Sequence, residues 1–291
     1  MTIIFNFLNL FKSNNKVFLL SFYFLSVMIG ILFVYNIEFG SIPQNELLYL
    51  KTNDPEMGLD FFYLLQDSGL VLVLYLLTTL LIPNLFSSDL LIYSNNKFDY
   101  MIITRTKTKI YNTYVKKVNF ISTVILIILT HLFTLMVIQL FCFDIKFSIN
   151  EIYMNATRQT TLFSNSLLLS LITYILLSSI GYGVFSNFLH SLQFAIKNIY
   201  LYKSLGISSA LMIYIGSAII SKLLLDFTGN TFLATITHFI NITNILTPGI
   251  IKSPILNNNY IIFYIGTLIM YYLISLNFYE IKEINKYEYD K

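Results

Sequence analysis

Long apolar runs, parted by short polar strips, occupy most of this chain, and a run of that kind dictates its own secondary structure. Six stand out: Val17 to Ile37, Gly69 to Phe86, Phe120 to Cys142, Phe163 to Phe185, Gly206 to Leu225 and Tyr260 to Phe278. Each is close to the ~20 residues that a helix needs to cross ~30 Å of hydrocarbon. Backbone N–H and C=O groups find no water there, and a helix satisfies all of them within one segment. The fold class these runs imply is all-α: a polytopic membrane protein with six transmembrane helices. No segment between them is large enough for a soluble domain. A composition of 56% hydrophobic and 11% charged residues agrees, since it would not keep a soluble domain of 291 residues in solution.

Charge placement sets the expected orientation. Lys12 and Lys16 precede the first run. Lys97, Arg105, Lys107, Lys109, Lys116 and Lys117 follow the second, Lys197 and Lys203 the fourth, and Lys282, Lys286 and Lys291 the sixth. The alternate strips hold only Lys51, Lys146, Arg158 and Lys252, a balance of thirteen against four, with Lys222 inside the fifth run. The positive-inside rule then predicts a multi-pass protein of the plasma membrane with both termini in the cytoplasm, which requires an even number of spans. The first external strip is acidic, with Glu38, Glu46, Asp54, Glu56 and Asp60.

The first run is longer than a secretory signal core and ends in Tyr35-Asn36-Ile37-Glu38 without a small-x-small cleavage site, so it reads as an uncleaved span. Ahead of it, Thr2, Asn6, Asn9 and Ser13 fall on one helical face and Ile4, Phe7, Leu8 and Phe11 on the other. That spacing predicts a helix over 1–13 lying in the cytoplasmic interface.

With no repeat, linker or composition break, residues 1–291 read as one transmembrane domain. Spans four and five carry small residues four apart, namely Ser166 with Ser170, Ser179 with Gly183, Gly206 with Ala210 and Ser217 with Ser221. Such pairs let helices approach closely. The favoured reading is packing within the chain; a contact with a second copy is the alternative. Between spans five and six, the stretch 226–259 includes Thr231 to Thr247, rich in Thr and Asn and closed by Pro248-Gly249. It is too polar to cross, and the Pro-Gly pair stops a helix. An extracellular stretch that dips into the outer leaflet or lies on it is expected.

The cytoplasmic strip 87–118 holds six basic and two acidic residues among many apolar ones, far more than a simple connection needs. Ile110, Tyr111, Tyr114, Val115 and Val118 recur at helical spacing, so its later part is predicted to be a helix running into the third span. Upstream, the apolar patch Tyr100-Met101-Ile102-Ile103 stands directly before Thr104-Arg105-Thr106-Lys107. An apolar knob with a basic rim suits docking of another protein. Anchoring to anionic lipid, at ~1 kcal/mol per cation, is the plainer alternative, although it leaves the patch unexplained.

Taken together, the amphipathic start, six spans, two inner termini, the basic strip and the stretch between spans five and six resemble a permease subunit of the ABC type-2 transporters. The phrase from Tyr100 through Ile102, Thr104, Arg105 and Lys107 to Lys109, with Lys116 or Lys117 further on, is similar to that family's coupling-helix region. Asp89 matches its upstream acidic residue, while Asn96-Lys97-Phe98 stands where the family has a glycine. The resemblance covers nearly the whole chain in topology and about thirty residues in motif. It implies the membrane half of an exporter, with ATP and Mg bound by a separate ATPase subunit, a second permease subunit in a homo- or heterodimer, and a re-entrant element around Thr231 to Thr247. The residues themselves agree with that division: the sequence has no G-x-x-x-x-G-K-[ST] phosphate loop, so no cofactor is expected on this chain.

No catalytic constellation is visible. His131, His190 and His238 lie in separate segments, none at metal-ligand spacing. Cys142 is the one cysteine, which removes disulfides and cysteine-zinc clusters and leaves it a packing or lipid-facing role. His131, at membrane depth, and Asp67, near the outer end of span two, are candidates for a substrate path. For His131 a neutral ring bonded to a neighbouring helix is the more ordinary role. Lys222 and Asp226, four apart, can pair at the outer end of the fifth span. Enzyme and channel are disfavoured, and a nucleic-acid partner is not expected. The leading expectation is an ATP-driven export permease for an amphipathic or apolar substrate, such as a peptide antibiotic, a drug or a lipid-linked molecule. The rival is a stand-alone immunity or interaction protein that uses the basic strip on lipid alone.

Overall fold

The computed structural model describes residues 13–53, 57–67, 69–82, 85, 108–147, 166–192, 196, 198–229, 239–248 and 260–289. Among them every regular element is helical. In chain order these are α1 (Asn14–Phe39), α2 (Gln44–Asn53), α3 (Met57–Asp67), α4 (Gly69–Ile82), α5 (Thr108–Val137) ending in a π-helical turn (Ile138–Cys142), α6 (Leu167–Leu192), α7 (Ile199–Thr228), α8 (Thr243–Leu246) and α9 (Tyr260–Tyr289). The interfacial helix expected over 1–13 lies outside the described residues but for Ser13.

Five of the described helices are long and apolar enough to cross a membrane: Asn14–Phe39, Thr113–Cys142, Leu167–Leu192, Gly206–Thr228 and Ile261–Phe278. The run expected to supply another span is represented by α4, whose 14 residues extend about 21 Å at 1.5 Å per residue. Its described part ends at Ile82. Other helices extend beyond the runs that hydropathy marks. Helix α6 runs on to Leu192, seven residues past the expected Phe185, and α9 runs to Tyr289 rather than Phe278.

Side-chain pairs give the helix directions. The Lys16 ammonium donates to the Leu85 carbonyl at 3.1 Å and Tyr23 bonds Thr78 at 3.1 Å, so α1 and α4 are antiparallel. Phe24 meets Phe133 while Tyr35 meets Phe143, so α1 and α5 run parallel. Along α5 and α6 the partners run oppositely, Asn119 with Asn187, Thr123 with Ser186 and His131 with Ser178. Along α6 and α9 they run the same way, Leu177 with Tyr264 and Asn187 with Ser275. Helix α7 begins within reach of the end of α6, because the six residues between Leu192 and Ile199 cannot span a bundle of this height. It packs along α4. Since α6 and α9 are parallel and α7 lies between them in sequence, the chain leaves α7 and enters α9 at one end of the bundle.

The helix ends have local causes. The Asn198 side chain accepts from the backbone N–H groups of Tyr200 and Leu201, at 2.9 and 3.4 Å, and so caps α7. Gly229 closes that helix at φ 59°, a left-handed turn that favours glycine. Helix α1 is apolar all round: Leu20, Tyr23, Val27, Ile31 and Val34 are buried, while Phe18, Phe22, Leu25, Ile29 and Phe33 are exposed at the same spacing. One face packs on helices and the other is suited to lipid.

At one end of the bundle, Tyr35 and Phe39 of α1, Phe61 of α3 and Phe143 meet edge to face, with centroids 4.9 to 5.9 Å apart. This aromatic quartet seats α3, whose Leu59, Phe62 and Leu65 are buried as well. Cys142, at the end of the π-helical turn, is buried in the same cluster, which makes it a packing residue. A second buried cluster forms around Tyr182, Phe185 and Leu189 of α6, Ile242, Ile245 and Leu246, and Tyr264 and Tyr271 of α9. Helix α6 contributes to both clusters and is the axis of the molecule.

Candidate functional site

Polar groups inside an apolar bundle must find partners, and here they line up along the seam of α5 and α6. Asn119, Thr123 and His131 are spaced by multiples of four, so they share one face of α5. Each meets a polar residue of α6. Asn119 Nδ2 donates to Asn187 Oδ1 at 3.1 Å, and Thr123 Oγ1 bonds Ser186 Oγ at 2.9 Å. The third rung is His131 Nε2 with Ser178 Oγ at 3.2 Å. All of these residues but Asn187 are buried, His131 to 7% exposure. Ser275 of α9 joins the first rung by donating to the Asn187 carbonyl at 3.4 Å.

The third rung continues into the segment between α7 and α9. The Ser178 hydroxyl donates to the Leu246 carbonyl at 2.6 Å. Leu246 is the last residue of α8, so its carbonyl is one of those a helix end leaves unpaired, and Pro248 has no N–H to offer it. A side chain 68 residues away in sequence satisfies it instead. Ser178 has one hydroxyl proton, which goes to this short bond. The contact with His131 therefore uses a proton on the ring Nε2.

The segment 239–248 is held on every side. Tyr271 of α9 donates to the Ile240 carbonyl at 2.8 Å, and Asn244 donates to Thr267 at 3.2 Å. Ile242, Ile245 and Leu246 are buried. Gly181 of α6 lies directly beneath Ile245, where an added Cβ would collide with the Ile245 carbonyl oxygen. Ser178 and Tyr271 each stand eleven residues into their helix, about 17 Å along it. The segment thus reaches the middle of the bundle, from the end at which α7 stops and α9 starts.

Above His131 sits α3. The rings of Phe62 and Tyr174 meet the imidazole edge to face at 5.9 and 5.7 Å, and Tyr174 donates to Gln66 Oε1 at 3.1 Å. Four elements, α3, α5, α6 and the 239–248 segment, converge on one histidine and one serine.

Of the residues singled out in the sequence, His131 lies at this centre. Asp89, Tyr100, Ile102, Thr104, Arg105 and Lys107 lie outside the described residues. Lys109 falls in the first turn of α5 and Asp67 at the end of α3, with neither side chain described. The Lys116 side chain is half-buried on α5. Lys109 and His131 belong to one unbroken helix, 22 residues and about 33 Å apart. Lys222 and Asp226 are both exposed near the end of α7. Ser178 and Leu246 carry no signal in the sequence: one is a serine among many, the other offers a backbone atom.

No family model, curated protein or solved structure matches the chain.

Proposed function

We propose that this chain is the membrane-spanning permease subunit of an ATP-driven exporter, with the ATPase on a separate polypeptide that binds ATP and Mg. One observation carries the reading. Helix α5 runs without a break from Thr108, within the basic strip, to the His131 and Ser178 centre in the middle of the bundle. A rigid helix of that length moves as a body, so force applied by a partner at Lys109 reaches a buried polar centre about 33 Å away. The stretch between α7 and α9, which enters and leaves at one end, fits a re-entrant outer element in such a permease. With α4 as a further crossing, the bundle has six spans and both termini on the cytoplasmic side of the plasma membrane. Two such subunits would pair, and the cargo is an amphipathic or apolar molecule, since the described interior offers hydroxyls, amides and rings rather than charge.

The test is association. Gentle detergent extraction of the tagged chain should bring down a nucleotide-binding subunit at near-equal stoichiometry. Replacing Arg105 and Lys109 by Glu should lower that yield roughly tenfold or more, because a like charge set against a partner costs several kcal/mol. Membrane insertion should be unchanged. A chain that purifies alone and acts without nucleotide is the stand-alone immunity or interaction protein instead.

A further inference from the structure

We propose that Ser178 is a positioning residue, a latch that holds the Thr243–Leu246 turn in the bundle and, through His131, ties that turn to α5. The bonds form one directed chain, from His131 Nε2 to Ser178 Oγ at 3.2 Å and from Ser178 Oγ to the Leu246 carbonyl at 2.6 Å. Hydrogen bonds in such a chain polarise one another, so each is stronger while the other is made. Beside the latch the turn lies close against α6 at Gly181, where an added Cβ would meet the Ile245 carbonyl oxygen. Two further polar ties, Tyr271 to Ile240 and Asn244 to Thr267, go to α9. The latch therefore couples the turn to the α5 and α6 pair, while the ties from Tyr271 and Thr267 hold it to α9. A displacement of α5 that draws His131 away weakens the latch first. The latch itself is independent of what drives the chain; only the use of α5 as the driver rests on the transport reading.

Ser179 supplies the control. It is buried next to Ser178, but its hydroxyl donates at 2.6 Å to the Ile175 carbonyl within α6, so among the described residues it holds nothing outside its own helix. The experiment uses the full chain in lipid nanodiscs, where both membrane faces meet solvent and orientation plays no part. With Cys142→Ala as background, Thr247→Cys places one thiol at the end of the turn, a site 6% exposed. Its reaction rate with a small water-soluble maleimide reads how often the turn leaves the bundle. Ser178→Ala should raise the rate about tenfold, as loss of a buried carbonyl's partner implies. Ser179→Ala should leave it unchanged, and Ser178→Thr, which keeps the hydroxyl, should restore protection. His131→Phe, which keeps a ring and loses the nitrogen, should raise it about threefold. If Ser178→Ala yields no folded protein, the His131→Phe chain decides alone. Equal rates for Ser178→Ala and Ser179→Ala, or a His131→Phe rate equal to the parent's, overturn the latch. Failure to capture an ATPase alongside an intact rate pattern would sink the transport reading and leave the latch standing.

Discussion

Helices α6 and α7 follow one another in the chain, are both long and apolar enough to span a membrane, and both carry small residues four apart, yet they end in opposite surroundings. In α6, Ser170, Ser179, Gly181 and Gly183 are buried beneath neighbouring elements. In α7 the window that could cross a membrane is 7% buried, against 50% for α6, and among the described residues nothing lies where a Cβ on Gly216 would stand. The small pairs do not set this contrast, since Gly206 and Ser217 of α7 are buried as well. The residues between them decide. Those of α6 include Tyr174, Ser178, Tyr182 and Phe185, which offer bulk and hydroxyls on several faces. Those of α7 include Met212, Ile215, Ile219 and Ile220, aliphatic chains that lipid satisfies as well as protein.

The sharpest way to break this contrast is to give each helix one methyl group. Gly181→Ala sets a Cβ against the Ile245 carbonyl, a backbone atom that moves only if the whole turn moves. Overpacking of this kind should cost ~3 kcal/mol, read as a drop in the thermal unfolding midpoint in detergent, and the Thr243–Leu246 turn should become open to maleimide. Gly216→Ala meets open space and should leave the midpoint unchanged or slightly higher, as alanine is the better helix former by ~1 kcal/mol. Equal losses at the two sites would erase the distinction between the helices.

A smaller effect is expected from the polar seam. Asn187→Leu removes the acceptor for Asn119 and leaves a buried amide without that partner. The expected loss is ~1 kcal/mol, the usual scale of a hydrogen bond between helices in a membrane. Its counterpart is Ser208→Ala in α7, where an exposed hydroxyl donates to the Ser204 carbonyl one turn back at 3.4 Å. That change should be silent in the same assay. A loss at Ser208 as large as at Asn187 would mean that α7 is as embedded as α6.

Much of the helical architecture was legible because lipid leaves a chain few options. A run such as Val17 to Ile37 has to be a helix, and α1 covers it with three residues to spare at its start. What hydropathy could not show is what lies on each face, since an average over a window is blind to direction. Helix α3 was missed for that reason: its Leu59, Phe62 and Leu65 form an inward stripe, but acidic neighbours dilute the run. For the 239–248 segment the sequence left open whether it dips into the outer leaflet or lies on it. Its Thr and Asn residues argue against burial only while unpaired, and in the fold Thr247 bonds Thr243 while Asn244 bonds Thr267. Depth drew attention to His131 in the sequence, and the structure supplies its partner. Ser178 could not be foreseen, because its significance comes from a carbonyl that reaches it only through the fold.

The smallest expected effect lies on the outward face of α7. Met212 is 76% exposed, so within one chain its side chain has almost nothing to lose. Met212→Ala should change the unfolding midpoint by less than about 0.5 kcal/mol, the range of substitutions that touch nothing. Leu171 of α6 is 4% exposed, and truncation there should cost ~2 to 5 kcal/mol through the cavity it leaves. The pair sharpens the contrast because both helices face the same solvent. A large loss at Met212, with the protein concentration governing its size, would show that a second copy covers α7 and that the bare face seen on one chain is half of an interface.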